Sequence, residues 1–544
     1  MSRTWIAGVV ALATATSSLG CASARIRKEN ERALAAADAR VLEGCYDCLH
    51  EARRVYERLA NGKKGSGIVP RLFETNVLIA LREKELALGA AASLERARAL
   101  IPRVPATMEP ARVLAIADAV LPDDNGLPSR QDSVLRKQNE KFLETIDTEL
   151  AWMDQAPLTP AVRRYVALAL NCSYSDRKKS TRDTVHTLAS RREVPINAPP
   201  LLAYRAADCD KPDSLALKRV LVAATTFDEA AYALARIVVW NAGETGGDDA
   251  RALFARASAR FPRAAGITFM TGWLESNRGD CEEAVRLFDT TLVLQPEHDR
   301  AMLQKTICLT DLHRDSAAIA SATKFIALDP PGIAYGYYWR AVNQLRRREL
   351  VLARTDIEEA KSRTKSGDVL SLAGMIEFEQ GEYPIAETDL RAARATWQGW
   401  KLCGAGFYLG STLTKREAWP DAAASFDSAR VCYDERAAET AMKIEQARAS
   451  TRGSAAFRAR RLASLETDLA DRRRRSRTAA FNTASMHARM GNLALAEEML
   501  VIAAEEPDLT DQVSKLRQQI ALVVEAARPT PTRQRPIPPR PKQR

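Results

Sequence analysis

The sequence is poor in the features on which most catalytic and metal sites are built. It has only five histidines, and no two of them stand four residues apart, so a His-x-x-x-His metal pair is excluded. It contains no Gly-x-Ser-x-Gly nucleophile turn, no dinucleotide-binding glycine motif and no protein-kinase motif set. The sequence therefore predicts no catalytic residue, no cofactor and no metal. An enzyme whose site assembles only in space is the less favoured alternative.

Aromatic residues and strand patterns are also scarce. Aromatic residues make up 6% of the 544 residues, although 46% are hydrophobic. Alternation of apolar and polar residues, which is typical of strands, is nearly absent, whereas alanine and arginine, which favour helices, are abundant. A chain of this length forms several domains or one elongated array. We expect an all-α protein.

The net charge of +11 comes from two segments rather than from the whole chain. Residues 452–477 carry nine arginines against three acids, and residues 527–544 carry six basic residues and no acid. The C-terminal segment is rich in proline and cannot form a core, so we expect a disordered tail. Either segment can contact an anionic cell-wall polymer, lipid headgroups or acidic proteins, or can be a solvated helix face and chain end.

The N-terminus predicts export. An apolar run at residues 5–15 is too short to span a bilayer, and it leads to Gly20-Cys21. This ending resembles a bacterial lipobox, which implies that Cys21 is lipidated and anchors the protein in the cell envelope, facing the periplasm. Ser18 departs from the leucine usual in that motif, and residues 22–24 offer a rival cleavage site that would leave a soluble periplasmic protein. Export makes nucleic acid an unexpected partner.

A 34-residue repeat organises the middle of the chain. Ala250, Ala284 and Ala318 are spaced by 34 residues, and the same spacing separates three prolines. The repeat continues at Ala353, Ala386 and Ala422. Upstream of Ala250 it continues in weaker form, with Ala216 as the equivalent alanine. A period of this length predicts stacked helix-turn-helix units.

The residues in this register resemble the tetratricopeptide repeat (TPR) family, which has small residues, an aromatic and a proline at fixed positions. One repeat matches through Gly272, Gly279, Ala284, Phe288 and Pro296, a second through Gly374, Gly381, Tyr383, Ala386 and Ala393, and a third through Leu409, Gly410, Ala422, Phe426 and Ala429. The resemblance implies an α-solenoid with a concave groove lined by the first helix of each repeat. It also implies a function as a non-catalytic scaffold for protein or peptide partners.

The family's groove positions hold aromatic residues in this chain. They are Phe269, Trp273, Tyr335, Tyr338, Trp339, Phe407 and Tyr408. As amphipathic anchors they indicate a surface that binds a peptide or a helix. Two other interpretations stay open: several of the rings pack between helices as core, or they are stacking platforms of a lipoprotein that captures glycans or peptides for uptake.

These patterns predict five consecutive segments. They are a signal peptide at 1–21, degenerate helical repeats at 25–198, the TPR array at 199–434, long basic helices with a final TPR-like pair at 435–526, and the disordered tail at 527–544.

Eight cysteines remain if Cys21 is set aside, and an even number in an exported chain predicts disulfides. The repeat register and the sequence spacing favour the pairs Cys45–Cys48, Cys172–Cys209, Cys281–Cys308 and Cys403–Cys432. The alternatives are unpaired thiols at the first pair, and small core residues at Cys308 and Cys403.

Overall fold

The computed structural model describes residues 4–62, 65–120, 140–174, 194–195, 197–208, 213–242, 247–451 and 455–526. Within these ranges every regular element is a helix and there is no strand, which confirms the all-α prediction. The chain divides into two compact units, Met1–Ile333 and Ala334–Arg544. The boundary between them falls inside the predicted 199–434 array, so the repeats of that array belong to two units.

The described helices of the first unit are numbered α1 to α15. They are α1 (Thr4–Glu43), α2 (Tyr46–Ala60), α3 (Val69–Glu85), α4 (Ala91–Leu100), α5 (Pro110–Ala119), α6 (Glu140–Met153), α7 (Pro160–Tyr174), α8 (Pro200–Ala207), α9 (Ser214–Ala223), α10 (Asp228–Ala242), α11 (Gly247–Arg260), α12 (Ala265–Asn277), α13 (Cys281–Leu294), α14 (Asp299–Asp311) and α15 (Asp315–Ala327).

The helices of the second unit are numbered α16 to α24. They are α16 (Ile333–Arg346), α17 (Leu350–Arg363), α18 (Gly367–Glu379), α19 (Tyr383–Arg394), α20 (Cys403–Lys415), α21 (Trp419–Ala449), α22 (Ala455–Arg489), α23 (Leu493–Ala503) and α24 (Thr510–Ala526). The long basic helices predicted within 435–526 extend further than the sequence indicated. Helix α21 is also the second helix of a repeat, and α22 is also the first helix of the next, because neither contains a proline or glycine that would end it there.

The repeat alanines sit where the paired helices touch. The alanine that marks each repeat has no exposed surface, namely Ala250, Ala284, Ala318, Ala353, Ala386, Ala422 and Ala496. A glycine faces the second helix at the closest approach in several repeats. At Gly374 an added Cβ would lie 2.5 Å from Cγ of Leu390, and at Gly272 it would lie 2.8 Å from Phe288. Only a residue without a side chain allows this spacing.

Within the described ranges, six hairpin turns from α12 to α23 each contain one residue in the left-handed conformation. Glycine occupies it in three hairpins, with φ of +80° at Gly279, +82° at Gly381 and +77° at Gly491. Non-glycine residues occupy it in others, with φ of 61° at Glu417 and 62° at Arg348. The turn geometry therefore persists even where the sequence lacks its preferred residue.

The upstream extension of the register is less regular. Ala216 lies near the start of α9 and is only partly buried, whereas Ala223 at the end of α9 is exposed. Leu217 and Val220 are the residues that α9 buries instead. The weaker sequence signal at this repeat thus corresponds to looser packing of its alanines.

Buried charges occupy the core of the first unit. Arg82 on α3 is fully buried, and its guanidinium donates hydrogen bonds to the carbonyl oxygen of Gly44 (2.7 and 3.2 Å) and to Glu85 Oε2 (2.9 Å). Its carbon Cζ lies 4.1 Å from the centre of the Tyr204 ring and 4.7 Å from that of Phe227. This cation links α3 to α8 and to Phe227, the residue immediately before α10.

Two predicted disulfide pairs are bonded in the structure. The Cα atoms are 5.0 Å apart in Cys45–Cys48 and 5.4 Å apart in Cys403–Cys432. The pair Cys172–Cys209 is not tested, because Cys209 lies outside the described residues.

The third predicted pair is not bonded. Cys281 and Cys308 are buried free thiols, which contradicts the predicted Cys281–Cys308 disulfide. The two thiols are hydrogen-bonded to each other, and each also has a second neighbour: Cys308 Sγ donates to Ser276 Oγ at 3.2 Å, and Cys281 Sγ is 4.0 Å from Asp311 Oδ2. The register correctly brought the two residues together on adjacent helices, but it did not determine whether their sulfurs are covalently bonded.

The structure does not test the predicted signal segment or the predicted C-terminal tail. The backbone of Cys21 lies within α1, but its side chain and those of its apolar neighbours lie outside the described part, as do residues 527–544. Among the described residues, no helix is both long enough and apolar enough to cross a membrane.

Candidate partner-binding surface

In the first unit, the predicted groove residues face the core rather than a groove. Phe269 on α12 has only 6% of its surface exposed, and its ring centre is 6.0 Å from that of Phe288 and 4.8 Å from that of His298. Trp273 is half-buried and packs against the same core. The assignment of Phe269 to a groove is therefore wrong, because its ring fills the space between α12 and the next two helices.

In the second unit, the three predicted aromatics of α16 differ in exposure. Tyr335 is 52% exposed, whereas Tyr338 and Trp339 are half-buried and pack edge to face, with ring centres 5.2 Å apart. Burial raises the pKa of Tyr338 to about 12. Tyr335 is thus the member of this group that offers a ring to solvent.

Phe407 and Tyr408 on α20 belong to an aromatic cluster that is half-buried. Phe407 packs against Phe426 of α21, and Tyr408 packs against Phe378 of α18, with ring centres 5.4 Å apart in both cases. Burial, and then Glu379, raise the pKa of Tyr408. Phe378 was missed in the sequence, although it stands four residues after Gly374, at one of the family's groove positions.

An open groove of about 450 Å³ lies at the C-terminal end of the second unit, between α22 and α24. Its lining residues are Phe481, Ser485, Ala488, Arg489, Leu493, Gln512, Lys515, Leu516, Gln519, Ile520 and Val523. Three of these side chains, Phe481, Leu516 and Ile520, pack against the core beneath and form an apolar floor. None of the eleven lining residues is acidic, and Arg489 and Lys515 bring two positive charges to it.

The repeat register explains why this groove lies where it does. With Ala496 as the marker alanine, the residues of α22 that line the groove, Phe481, Ser485, Ala488 and Arg489, occupy the family's groove positions. The marker alanines are buried at the helix contacts, and the hairpin turns share one left-handed residue. The fold is that of tetratricopeptide repeats. The sequence signal for this TPR groove was present, but it was not followed into the final repeat.

Similar solved structures are TPR proteins, and the similarity is low. The Cut9-Hcn1 hetero-tetramer of the APC/C is 12% identical, with a TM-score of 0.39, and the match covers 92% of this chain and 94% of that chain. A TPR protein from Parabacteroides merdae is 16% identical, with a TM-score of 0.29, covering 50% and 99%. A thermophilic TPR protein from Thermus thermophilus is 15% identical, with a TM-score of 0.28, covering 34% and 99%. Likeness of this size transfers no partner and no activity.

No family model and no curated protein matches the sequence. Within the described ranges, no group of three or more histidine, cysteine or acidic side chains is arranged to hold a metal ion.

The basic helix segment is largely neutralised by its own chain. Arg472 pairs with Asp468 at 2.8 Å, and Arg475 pairs with Asp471 at 2.6 Å. Arg477 contacts Asp434 at 3.2 Å and pairs with Glu505. The arginines of this run in α22 are thus mainly paired with carboxylates of the same chain.

A smaller cavity of about 300 Å³ lies between α8 and α9 in the first unit. Its walls are mostly alanine and proline, and its two charged side chains are Asp213 and Arg219. Because Asp213 caps the first turn of α9, accepting from Leu215 N and Ala216 N, its carboxylate already has donors within its own chain.

Proposed function

We propose that this protein is a non-catalytic scaffold that binds a segment of a partner protein in the groove between α22 and α24. The observation that supports the proposal is the composition of the groove: an apolar floor, two glutamines, two cations and no carboxylate. A volume near 450 Å³ accepts several side chains of one helix or extended segment.

The charges of the groove indicate what that segment carries. Arg489 and Lys515 are both exposed, and Arg489 also covers the ring of Trp419, with Cζ 5.0 Å from the ring centre. A partner with apolar side chains on one face and carboxylates at its edge complements this surface, because rim charges select partners of opposite sign. We therefore propose an acidic amphipathic segment as the occupant.

Site-specific crosslinking in cells tests the proposal. A photoreactive residue at Ser485, in the groove, is expected to crosslink a partner whose contact peptide is acidic and amphipathic. The matched control is the same replacement at Ser514, which is exposed on α24 but does not line the groove. Equal crosslinking at both positions would count against the groove.

A charge reversal gives a second measurement on the identified peptide. Lys515→Glu leaves the apolar floor intact, because Lys515 is exposed, and is expected to weaken binding of the acidic peptide about tenfold or more. Unchanged affinity would show that the peptide binds elsewhere.

We also propose that the protein is exported and lipid-anchored at Cys21 in the cell envelope. The sequence of the first 21 residues supports this location. Cys21→Ser is expected to move the protein from the membrane fraction to the soluble fraction, and Ser23→Ala is the control. Membrane association that survives Cys21→Ser would exclude the lipid anchor.

A further inference from the structure

The connection between α19 and α20 carries the two most exposed tryptophans of the described chain. Trp397 is 91% exposed and Trp400 is 57% exposed, whereas the other tryptophans with described side chains are half-buried. A connection between repeats does not need such residues. Two indoles in water therefore call for a functional explanation.

This connection is longer than the other connections between repeats from α9 to α24. Residues 395–402 form eight linking residues and include a 3₁₀ turn, Gly399–Lys401, whereas the connections at 295–298 and 364–366 have four and three residues. The additional residues contain both tryptophans. They form a projection, hereafter the tryptophan loop (residues 395–402), on the second unit.

The backbone of the tryptophan loop is held firmly although its rings are exposed. A Cβ on Gly399 would lie 2.3 Å from the carbonyl oxygen of Arg394, so the turn packs closely on the end of α19. Thr396 Oγ1 donates to Ala393 O at 2.7 Å. The Cys403–Cys432 disulfide lies directly beneath, with Cys432 Sγ 3.3 Å from the Trp400 carbonyl oxygen. The loop thus presents its indoles with little ordering cost on binding.

Positive charge accompanies the two rings. Lys401 Nζ lies 5.1 Å from the centre of the Trp400 ring, and Arg394 donates to Ser428 Oγ at 2.6 Å. Both cations are half-exposed, and the structure records no ion pair of either with a carboxylate of the described residues. Val431 beside the disulfide is 41% exposed and adds apolar surface. The loop therefore combines exposed indoles with unneutralised cations.

We propose that the tryptophan loop docks on an anionic lipid surface, with Trp397 and Trp400 at the interface and Lys401 and Arg394 towards the headgroups. Tryptophan is enriched at the boundary between headgroups and acyl chains, and nearby cations are attracted to anionic lipids. Two indoles bury about 300–500 Å², below the roughly 800 Å² per partner of a stable protein interface. Stacking on a neutral sugar would make no use of the cations.

Vesicle binding of the full-length protein tests this proposal. The probes are vesicles of phosphatidylcholine alone or with phosphatidylglycerol, both containing brominated lipid that quenches nearby indoles. We expect quenching of wild-type emission on the anionic vesicles, and loss of most of it in Trp397→Ala/Trp400→Ala. The other tryptophans are common to both proteins, so the difference between them reports on the loop.

Two further variants sharpen the measurement. Trp419→Phe removes a half-buried tryptophan of the same unit and is expected to leave the loop-dependent quenching unchanged. Lys401→Ala is expected to weaken binding to anionic vesicles about fivefold and to leave binding to neutral vesicles unaltered. Circular dichroism checks that each variant is folded.

Three results would overturn the proposal. The first is equal quenching of the wild type and the double variant on anionic vesicles. The second is quenching by soluble oligosaccharides but not by vesicles, which would assign the rings to a glycan. The third is self-association that requires Trp397 and Trp400 without any vesicle-dependent quenching, which would assign them to a second copy of the chain.

Discussion

Arg82 allows the most demanding test of the interactions within the first unit. Arg82→Met replaces a fully buried cation by an apolar side chain of similar length, so the loss of packing is small. The variant removes the hydrogen bonds to the Gly44 carbonyl oxygen and to Glu85, and it leaves Glu229, 1% exposed and 4.0 Å from the guanidinium, without this cation. Removing one partner of a buried charge pair costs about 3–5 kcal/mol, which is our expected loss at pH 7.

The pH dependence of this loss follows from Glu85. Burial alone disfavours its charge, but Arg82 and Arg205 hold the pKa of Glu85 below its ordinary value. A carboxyl with a depressed pKa in the folded state contributes stability above its unfolded pKa, and this contribution is lost as the pH falls. Because Arg82→Met removes much of the contribution, the stabilities of variant and wild type should differ by a constant amount above about pH 5 and should approach each other as the pH falls below about 4.5.

Urea unfolding at several pH values, followed by circular dichroism, measures the difference, and hydrogen exchange localises it to α3 and α8. The control is Arg98→Met, which removes an exposed arginine paired with Glu95 and should cost less than about 0.5 kcal/mol. A cost for Arg82→Met below about 1 kcal/mol at pH 7, or one that is the same at pH 3 and pH 7, would refute the electrostatic explanation.

Three further predictions concern the second unit. Glu417 has φ of 61°, a left-handed conformation that glycine adopts without strain. Glu417→Gly should therefore stabilise the unit by about 0.5–1 kcal/mol in thermal or urea unfolding, whereas Glu417→Ala should give no such gain. Gly374→Ala should lower the free energy of unfolding by about 1–3 kcal/mol, because the added methyl group would clash with Leu390. The double variant Gly374→Ala/Leu390→Ala should lose less stability than the sum of the two single variants. Burial, and then Asp389, raise the pKa of Glu377 to about 7. The free energy of unfolding of this unit should therefore fall as the pH rises from about 4.5 to 7. Glu377→Gln should abolish this pH dependence, as measured by urea unfolding.

Much of the repeat architecture was predictable from sequence, because it rests on short-range spacing. The marker alanines and the glycines opposite the second helix lie at fixed intervals, and close helix packing requires small residues at those intervals. The exposure of the aromatics was not predictable in this way. Phe269 and Tyr335 were assigned to the same groove, yet one is buried and the other half-exposed. The difference depends on the neighbouring helices, which the repeat pattern does not specify.

By itself, the sequence determined the helical class, the hairpin register and the positions at which helices must approach closely, since these depend on residue size and period. Only the tertiary structure decided where an open groove remains, because this depends on how α22 and α24 separate around Phe481 and Leu516. It also decided that Cys403 and Cys432 bond whereas Cys281 and Cys308 stay free thiols in contact, since a disulfide requires a specific geometry at both sulfurs and not only the same level. Finally, it placed Trp397 and Trp400 in solvent, because the lengthened connection projects beyond the helices that bury the other rings.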